Sequence, residues 1–483
     1  MKKTLALIAL SIAVYLGLTG WTGVATQSAL SKANALLDGE KVPFLRVADR
    51  TYKKSFFSAE EQFTLEITLD ALDKLKAKPG AFQAANFQKI QAGALEDEAE
   101  VEPESEQQIA PRRVAPLRIV IRNHITHGPL PGFSSFGLSR IRTELVFGDE
   151  LSAELQKIVG RDNPVEIVTV IGYTGGGTTS ITSPAFKTAV GSTGLELDWG
   201  GLESQFSYGR RLSSIDGKFT APGLKMTEPS GSVLHIGAIQ LNADLEKVFE
   251  DLYAGTTSVL VSSIDFTGKQ ASDSVRLEAI AYDIDMSRQD DFMNMGVKFG
   301  IAKFKFQKID LQNVTYNLSV NHLHGPTYAM LSRRLSELYW NSLSGNSATA
   351  VLAVGGLAEY GSTLLEYSPE FVIDRLGVTT SEGGLTITGR AKVDNFKRTD
   401  LDATGGFVAL LEKVEATADV SFDAALFRQL LSVSAPSGDR TEQSQAQLAQ
   451  MESMGLLKRE GEKFVGHFEM RKGKMFANGK PMN

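Results

Sequence analysis

The chain reads as an α+β protein dominated by strands: long curved antiparallel sheet with bulges, a few packing helices and one N-terminal transmembrane helix. Three observations predict this. Lys2 and Lys3 precede an apolar stretch from Leu5 to Leu18, and no second stretch like it follows. Most of what remains alternates apolar and polar residues with period two, the mark of half-buried strands. Two long tracts, Val275 to Met286 and Val297 to Val320, change phase partway. A one-residue slip in a strand that keeps one face inward calls for a bulge.

The N-terminal element comes first. A spanning helix needs about 20 mostly apolar residues. Thr4 to Val24 supplies them, with Ser11, Tyr15 and Thr19 among its few polar interruptions. Two lysines before the stretch and none after it until Lys32 favour a cytoplasmic N-terminus. Trp21 stands where the helix would leave the hydrocarbon. The competing expectation is a cleaved signal peptide, whose best small-x-small site, Ala33-Asn34-Ala35, lies beyond the usual distance from the apolar core. Residues 1–25 are therefore expected to stay in the membrane, with the remaining chain on its far side.

Composition narrows the class of the remainder. There is no cysteine, which excludes disulfides, thiolate metal sites and a lipid-modified cysteine. The net charge of −7 and the absence of any Lys/Arg cluster larger than a pair argue against nucleic acid. With 483 residues the chain can bury a large core, in more than one domain.

Residues 26–92 begin the exported body. Phe63, Leu65 and Ile67 share one strand face there, and Glu66, Thr68 and Asp70 share the other. Residues 93–116 break the pattern: seven glutamates and aspartates crowd between Glu96 and Glu106, followed by Pro111 and Pro116. Such a segment buries almost nothing and is expected to be a disordered linker. It lacks the ligand spacing and turn glycine of a calcium loop.

Residues 117–483 form the main strand-rich body, as one piece or as two related halves, 117–300 and 301–483. In the long tracts Val275, Leu277 and Ala279 give way to Ile280, Tyr282, Ile284 and Met286. Ile309 and Leu311 likewise give way to Val314, Tyr316, Leu318 and Val320. Leu385, Ile387 and Val393 are in phase, as are Phe464, Phe468 and Met470. Helices are expected over a stretch opened by Pro326 and Thr327, with Leu331, Leu335, Leu338 and Tyr339 on one side. Others are expected over Leu241 to Tyr253, Ala348 to Ala358 (short and buried) and Thr441 to Leu457, the last with Leu448, Met451 and Leu456 as a thin apolar stripe.

One motif occurs twice. Asn123-His124-Ile125-Thr126-His127-Gly128-Pro129 returns one residue shorter as Asn321-His322-Leu323-His324-Gly325-Pro326. Each copy closes an alternating strand, and the two hold four of the chain's six histidines. Either the chain is an old duplication, or two strand ends need the same turn. His127, Gly128 and Pro129, with His324, Gly325 and Pro326, then make a structural turn, glycine for the backbone and proline to stop the ladder. The chemical alternative is a metal site built from His124, His127, His322 and His324, since imidazole is the commonest transition-metal ligand. No carboxylate within either copy would complete it, so the strand-end role is the expected one.

Other motifs carry no chemistry. Gly172 to Ser180 is glycine-rich but lacks the lysine of a phosphate loop, and it reads as a hairpin after the strand Val165 to Ile171. There is no G-x-S-x-G elbow and no H-E-x-x-H helix. The acid pairs Asp283 and Asp285, or Asp290 and Asp291, are expected on solvated surfaces. No catalytic residue, cofactor site or cofactor is expected.

A lysine-led apolar segment ending in Trp21-Thr22-Gly23 is followed by Tyr52-Lys53-Lys54-Ser55-Phe56-Phe57-Ser58-Ala59, leading straight into a strand. The His127-Gly128-Pro129 turn comes next, and a hairpin from Gly466-His467-Phe468 to Asn478-Gly479-Lys480 closes the chain. Together these resemble the YdgA-like family of bacterial inner-membrane proteins, a domain-of-unknown-function group. The chain departs from that pattern where Lys53, Lys54 and Ser55 replace an arginine-glycine pair. The resemblance implies a single-pass inner-membrane protein with its bulk in the periplasm of a Gram-negative cell, a homodimer, and no established reaction. In layout alone the chain also resembles AsmA-like envelope proteins linked to phospholipid transport.

Three functions follow as expectations. One is a non-enzymatic envelope protein that holds lipid in or against a curved apolar sheet face. The second is a structural or assembly factor acting through protein contact, with the Thr441–Leu457 helix and the acidic arm as contact elements. The third is a periplasmic hydrolase built on the histidine pairs.

Overall fold

The computed structural model describes residues 19, 22, 26–27, 45–67, 117–133, 135–146, 153, 156–157, 163–190, 194–250, 252–307, 309–344, 359–400, 406–427 and 440–482. The acidic segment 93–116 and the expected helix at Ala348–Ala358 lie outside them, as does nearly all of Thr4–Val24. The chain groups into two compact units, Met1–Asp149 with Leu335–Val354, and Glu150–Arg334 with Gly355–Asn483. The 300/301 division drawn from the sequence falls inside a strand of the second unit, described below.

In the first unit β1 (Leu45–Lys54), β2 (Ser58–Ile67), β3 (Leu117–His127) and β4 (Ser139–Val146) form an antiparallel meander. Phe63, Ile125 and Ile141 are buried on one side of it, as the period-two alternation requires. The ladder between β1 and β2 shifts between Ala48 and Thr51, and Asp49 there adopts a positive φ of 52°. This bulge places two residues, Asp49 and Arg50, opposite the single Phe63.

The second unit opens with β5 (Glu166–Ile171), β6 (Gly177–Ser183), β7 (Phe186–Val190), β8 (Leu195–Trp199) and β9 (Leu202–Tyr208). It continues through β10 (Ser214–Ala221), β11 (Leu224–Thr227), β12 (Val233–Ile236), β13 (Ile239–Phe249) and β14 (Leu252–Thr267). The longest hairpins follow, β15 (Val275–Gln289), β16 (Phe292–Phe306) and β17 (Ile309–His324). Helix α1 (Gly325–Ser344) leaves β17, and β18 (Glu370–Thr380) and β19 (Gly383–Val393) come next. The last elements are α2 (Gly406–Lys413), β20 (Val414–Asp423), α3 (Arg440–Ser453), β21 (Lys458–Glu460), β22 (Lys463–Arg471), β23 (Lys474–Ala477) and β24 (Lys480–Pro481). Every pairing among these strands is antiparallel, and β13 to β20 lie side by side in sequence order. The glycine-rich stretch at 172–177 is the β5–β6 hairpin, as expected. Residues 300 and 301 sit in mid-β16, so that division would cut a ladder.

The helix expected over Leu241 to Tyr253 is a strand instead. Leu241, Leu245 and Val248 fit a helical stripe, and Ala-Asp-Leu-Glu-Lys is good helix-forming sequence. The same residues also alternate strictly: Ile239, Leu241, Ala243 and Leu245 are half-buried, while Gln240, Asn242, Asp244 and Glu246 are exposed. Two flanking strands, β10 and β14, pair with this segment along its length and decide the contest. The helices at 325 and 440 form as read. In α1 the expected stripe is only partly used, because Leu331 is half-buried and Leu335 is exposed. In α3 Leu448 packs with Phe422, Leu457 and Phe464 in a small core, so its stripe serves the chain's own fold.

The phase changes have a common cause. In β15 it falls at Ala279 and in β17 at Asn313, both with positive φ, 48° and 50°. The ladder pairs drop out there, yet β14, β15, β16 and β17 keep one register on either side. A bulge confined to one strand would slip it against its neighbour. Here Ser262, Ala279, Ala302 and Asn313 lie on one line across the sheet, so every strand makes the change together. The line continues through the breaks between β12 and β13, β10 and β11, β8 and β9, and β6 and β7. Those breaks hold Gly237-Ala238, Pro222-Gly223, Gly200-Gly201 and Pro184-Ala185. Gly200 N–H donates to Gly223 O at 2.9 Å, and Gly237 N–H to Ser263 O at 2.9 Å, which stitch this crease. Beyond it Trp199 donates its indole N–H to Ser183 Oγ at 3.1 Å. Ser183 is in phase with Ile181, so the Trp199 indole reaches across the crease to the Ile181 side of the sheet. Ordinary bulges, with a register shift, occur at β17 beside His322 and along β18.

Candidate functional site

Three features carry polar chemistry or unusual exposure. The first is a row across β1–β4. Glu61, Asn123 and Thr143 are direct cross-strand partners and occupy the apolar phase of their strands. Glu61 is 0% exposed. Arg50, turned inward by the bulge, donates Nε and Nη2 to Glu61 Oε1 at 2.8 and 2.7 Å. Asn123 Nδ2 donates to Glu61 Oε2 at 2.8 Å, and Thr143 Oγ1 donates to Asn123 Oδ1 at 2.7 Å. The buried charge is thus paired and its second oxygen satisfied, which is what burial of a carboxylate demands. Burial, and then Glu61, push the Tyr52 hydroxyl above its usual range.

The histidines of the repeated motif come second, and the two copies differ. In the first copy His124 points between carboxylates, Nε2 3.2 Å from Glu144 and Nδ1 3.9 Å from Glu60. His127 is 2% exposed, and its Nε2 lies 2.7 Å from the Phe56 carbonyl. A carbonyl only accepts, so Nε2 carries the proton and the buried Nδ1 has no hydrogen-bond partner. In the second copy His322 is the bulged residue, with φ 57° and its backbone N–H donating to Asn294 Oδ1 at 2.9 Å. Its ring stacks on Phe292 at 3.9 Å, and Nδ1 donates to the Tyr367 carbonyl at 2.8 Å. His324 stacks on the Tyr367 ring at 3.9 Å and pairs through Nδ1 with Thr327 Oγ1 at 2.8 Å. Gly128 follows His127 with φ 136°, and Gly325 starts α1 with its N–H donating to Asp291 O at 2.8 Å. Both copies therefore end strands, one into a turn and the other into a helix whose first turn holds Pro326. Among the described residues no group of three or more His, Cys, Asp or Glu could hold a metal ion.

Burial lowers the His127 pKa, against the hydrogen bond to Phe56 that raises it and with help from Lys54. Its folded pKa thus lies below the unfolded value of about 6.5. Between the two the unfolded chain binds more protons, so stability rises with pH there and falls on acidification below about 6.5. Replacing His127 with Gln removes this acid-sensitive group. The stability gap between wild type and His127→Gln is expected to narrow as pH falls from about 7.5 to about 5.5; denaturant melts at a series of pH values measure it.

The third feature is the largest. Phe219, Leu241, Val259, Tyr282, Phe299, Tyr316, Leu376, Ile387 and Val420 face one another in register across nine strands. Parallel to this row run Ala243, Thr257, Ile284, Val297, Leu318 and Ile373, and then Leu245, Gly255, Met286, Met295, Val320 and Phe371. The opposite side carries Lys218, Asn242, Ser258, Asp283, Lys298, Asn317 and Arg375. The sheet is amphipathic, yet none of the nine residues in the first row is buried, and Tyr316 is 47% exposed. Eight inter-strand steps of about 4.8 Å make the row about 38 Å long. Contiguous apolar patches of that extent mark interaction surfaces, because leaving them in water forfeits about 25 cal/mol per Å². Surface hollows elsewhere are lined by charge, for example Glu370, Arg390, Lys392, Glu415, Glu469 and Arg471.

Sequence reasoning found the strands that make this surface but not the row of Glu61, Asn123 and Thr143. The available signal was a polar residue in the apolar phase of each of three strands, beside Phe63, Ile121 or Ile125, and Ile141. Neither a curated protein nor a solved structure matches the chain. A family model described as bacterial protein of unknown function (DUF945) matches residues 1–483. With its whole length covered, the chain belongs to that bacterial family.

Proposed function

We propose that this protein is a non-enzymatic, membrane-anchored component of the bacterial envelope that holds lipid against the apolar face of its β13–β20 sheet. The observation that carries this reading is the nine-strand row of half-exposed apolar side chains backed by a charged face. A ligand for such a surface must itself be long and apolar, and the row is comparable in length to the roughly 30 Å hydrocarbon core of a bilayer. The YdgA-like resemblance supports placing residues 1–25 in the inner membrane, cytoplasmic side first, with the body in the periplasm. Within that segment and just beyond it Thr22 and Thr26 donate their hydroxyls to Thr19 O and Thr22 O at 2.9 and 2.8 Å. Such back-bonding lets threonine sit where no water can serve it. Among the described residues no helix is long and apolar enough to cross a membrane.

The contact-protein alternative draws less support, since Leu448 of α3 already packs inside the chain's own core. The hydrolase reading draws less again, because His127 and His324 bond a backbone carbonyl and a threonine hydroxyl respectively. The test is direct. Full-length protein extracted in mild detergent is expected to carry stoichiometric phospholipid by native mass spectrometry; protein that is lipid-free after gentle extraction, and takes up none from vesicles, sinks the proposal.

A further inference from the structure

We infer that the tip of the first unit's meander is a docking surface for an anionic lipid bilayer. Four phenylalanines project there. Phe56 and Phe57 fill the β1–β2 turn, 51% and 49% exposed; Phe133 and Phe136 lie in the β3–β4 connection, 83% and 81% exposed. Because Ser58 pairs with Thr126, the turn and the connection occupy the same end of the sheet.

Hydrogen bonds hold the described residues at the base of the connection. His127 and Pro131 are buried at its base, Gly128 N–H donates to Leu138 O at 3.2 Å, and His127 N–H donates to Phe57 O at 3.0 Å. At its crest Phe133 N–H donates to Leu130 O at 3.0 Å, and Phe133 keeps a left-handed φ of 54°. That conformation is costly for a residue with a side chain, and it stands here beneath a ring that is 83% exposed.

Charge selects the partner. Within the turn itself, residues 54–59, and the connection, residues 126–140, the charged side chains are Lys54 and Arg140 with no carboxylate, while Lys53 one step back stands opposite Glu60. The molecule as a whole carries −7. Aromatic rings projecting from a crest that carries Lys54 and Arg140 but no carboxylate match the headgroup region of an anionic membrane, where rings enter the interface and cations meet phosphates. This inference does not depend on lipid binding by the β13–β20 face, and it concerns a different unit.

The chain has no cysteine, so a single label reports cleanly. Ser135→Cys, carrying an environment-sensitive NBD group, keeps all four rings. Ser230→Cys, on an exposed hairpin turn, is the control. Full-length protein is placed in nanodiscs of phosphatidylglycerol and phosphatidylethanolamine, or of phosphatidylcholine alone. The Ser135 label is expected to shift to the blue and to be quenched by nitroxide lipids in the anionic discs, while the control stays accessible to iodide. Lys54→Gln with Arg140→Gln should weaken that contact roughly thirtyfold, from about 1 kcal/mol for each cation near an anionic surface. Replacing the four phenylalanines with serine should remove it. A Ser135 label quenched by iodide, or shielded from both quenchers as in a protein–protein contact, overturns the inference. Equal lipid quenching in the two disc types overturns the anionic assignment.

Discussion

Glu61→Ala is expected to destabilise the first unit by about 3–5 kcal/mol, the range for breaking a buried ion pair from one side. The carboxylate is fully buried, and three donors are aimed at it: two from Arg50 and one from Asn123. Removing it takes from the Asn123 amide its acceptor and from the inward Arg50 a buried carboxylate at 2.7 Å. A loss of that size corresponds to a fall in Tm of roughly 10 °C or more for a unit of this length. Glu61→Gln should fall between wild type and alanine, since an amide can still accept from Asn123 but cannot neutralise arginine. Arg50→Ala should cost less than Glu61→Ala, because Arg50 retains 31% side-chain exposure and its replacement can admit water. The Arg50→Ala, Glu61→Ala double variant should then be less unstable than the sum of the singles, by the coupling that neighbours show. Additive losses, or a Glu61→Ala cost below about 1 kcal/mol, would mean that the row is spectator polarity.

Why that row escaped the sequence while the strands did not is a matter of distance along the chain. Period-two alternation is local, so Leu277, Tyr282, Leu318 and Ile387 announce their strands unaided. The phase changes at Ala279 and Asn313 were equally legible, although their meaning was not: one strand suggests a bulge, and only the register of four reveals a crease. Glu61 and Asn123 are 62 positions apart. Each alone looks like a surface residue out of step, and only strand pairing makes them partners. Arg50 was further hidden by its bulge, which redirects it regardless of phase. The misassigned helix at Leu241 failed for the complementary reason, since its residues satisfy both periods and only β10 and β14 choose between them. The repeated histidine motif stands at the ends of β3 and β17, where identical letters have different partners, a Phe56 carbonyl for His127 and a Tyr367 ring for His324.

Phe299→Asp combined with Tyr316→Asp separates the two things an apolar sheet face can be. These residues are register partners at the middle of the nine-strand row. Were the row a sealed core, two buried carboxylates would cost many kcal/mol and unfold the sheet. Their exposure predicts otherwise: Phe299 is half-buried and Tyr316 is 47% exposed, so both aspartates can reach water. The stability loss is therefore expected to stay near 1–2 kcal/mol, mostly lost cross-strand aromatic contact. Lipid binding should respond far more. Each ring lost from a bound acyl chain removes about 1.5 kcal/mol, and the pair about 3 kcal/mol, which is roughly a hundredfold in affinity. The same double change on the opposite face, Ser258→Asp with Asn317→Asp, should leave lipid occupancy unaltered, because Ser258 stands between Asn242 and Asp283 and Asn317 between Lys298 and Arg375, on the polar side of the sheet. Native mass spectrometry of lipid occupancy beside denaturant melts gives both readouts on one preparation. A folded Phe299→Asp, Tyr316→Asp protein that keeps its lipid would place the ligand elsewhere, and an unfolded one would make this face a core.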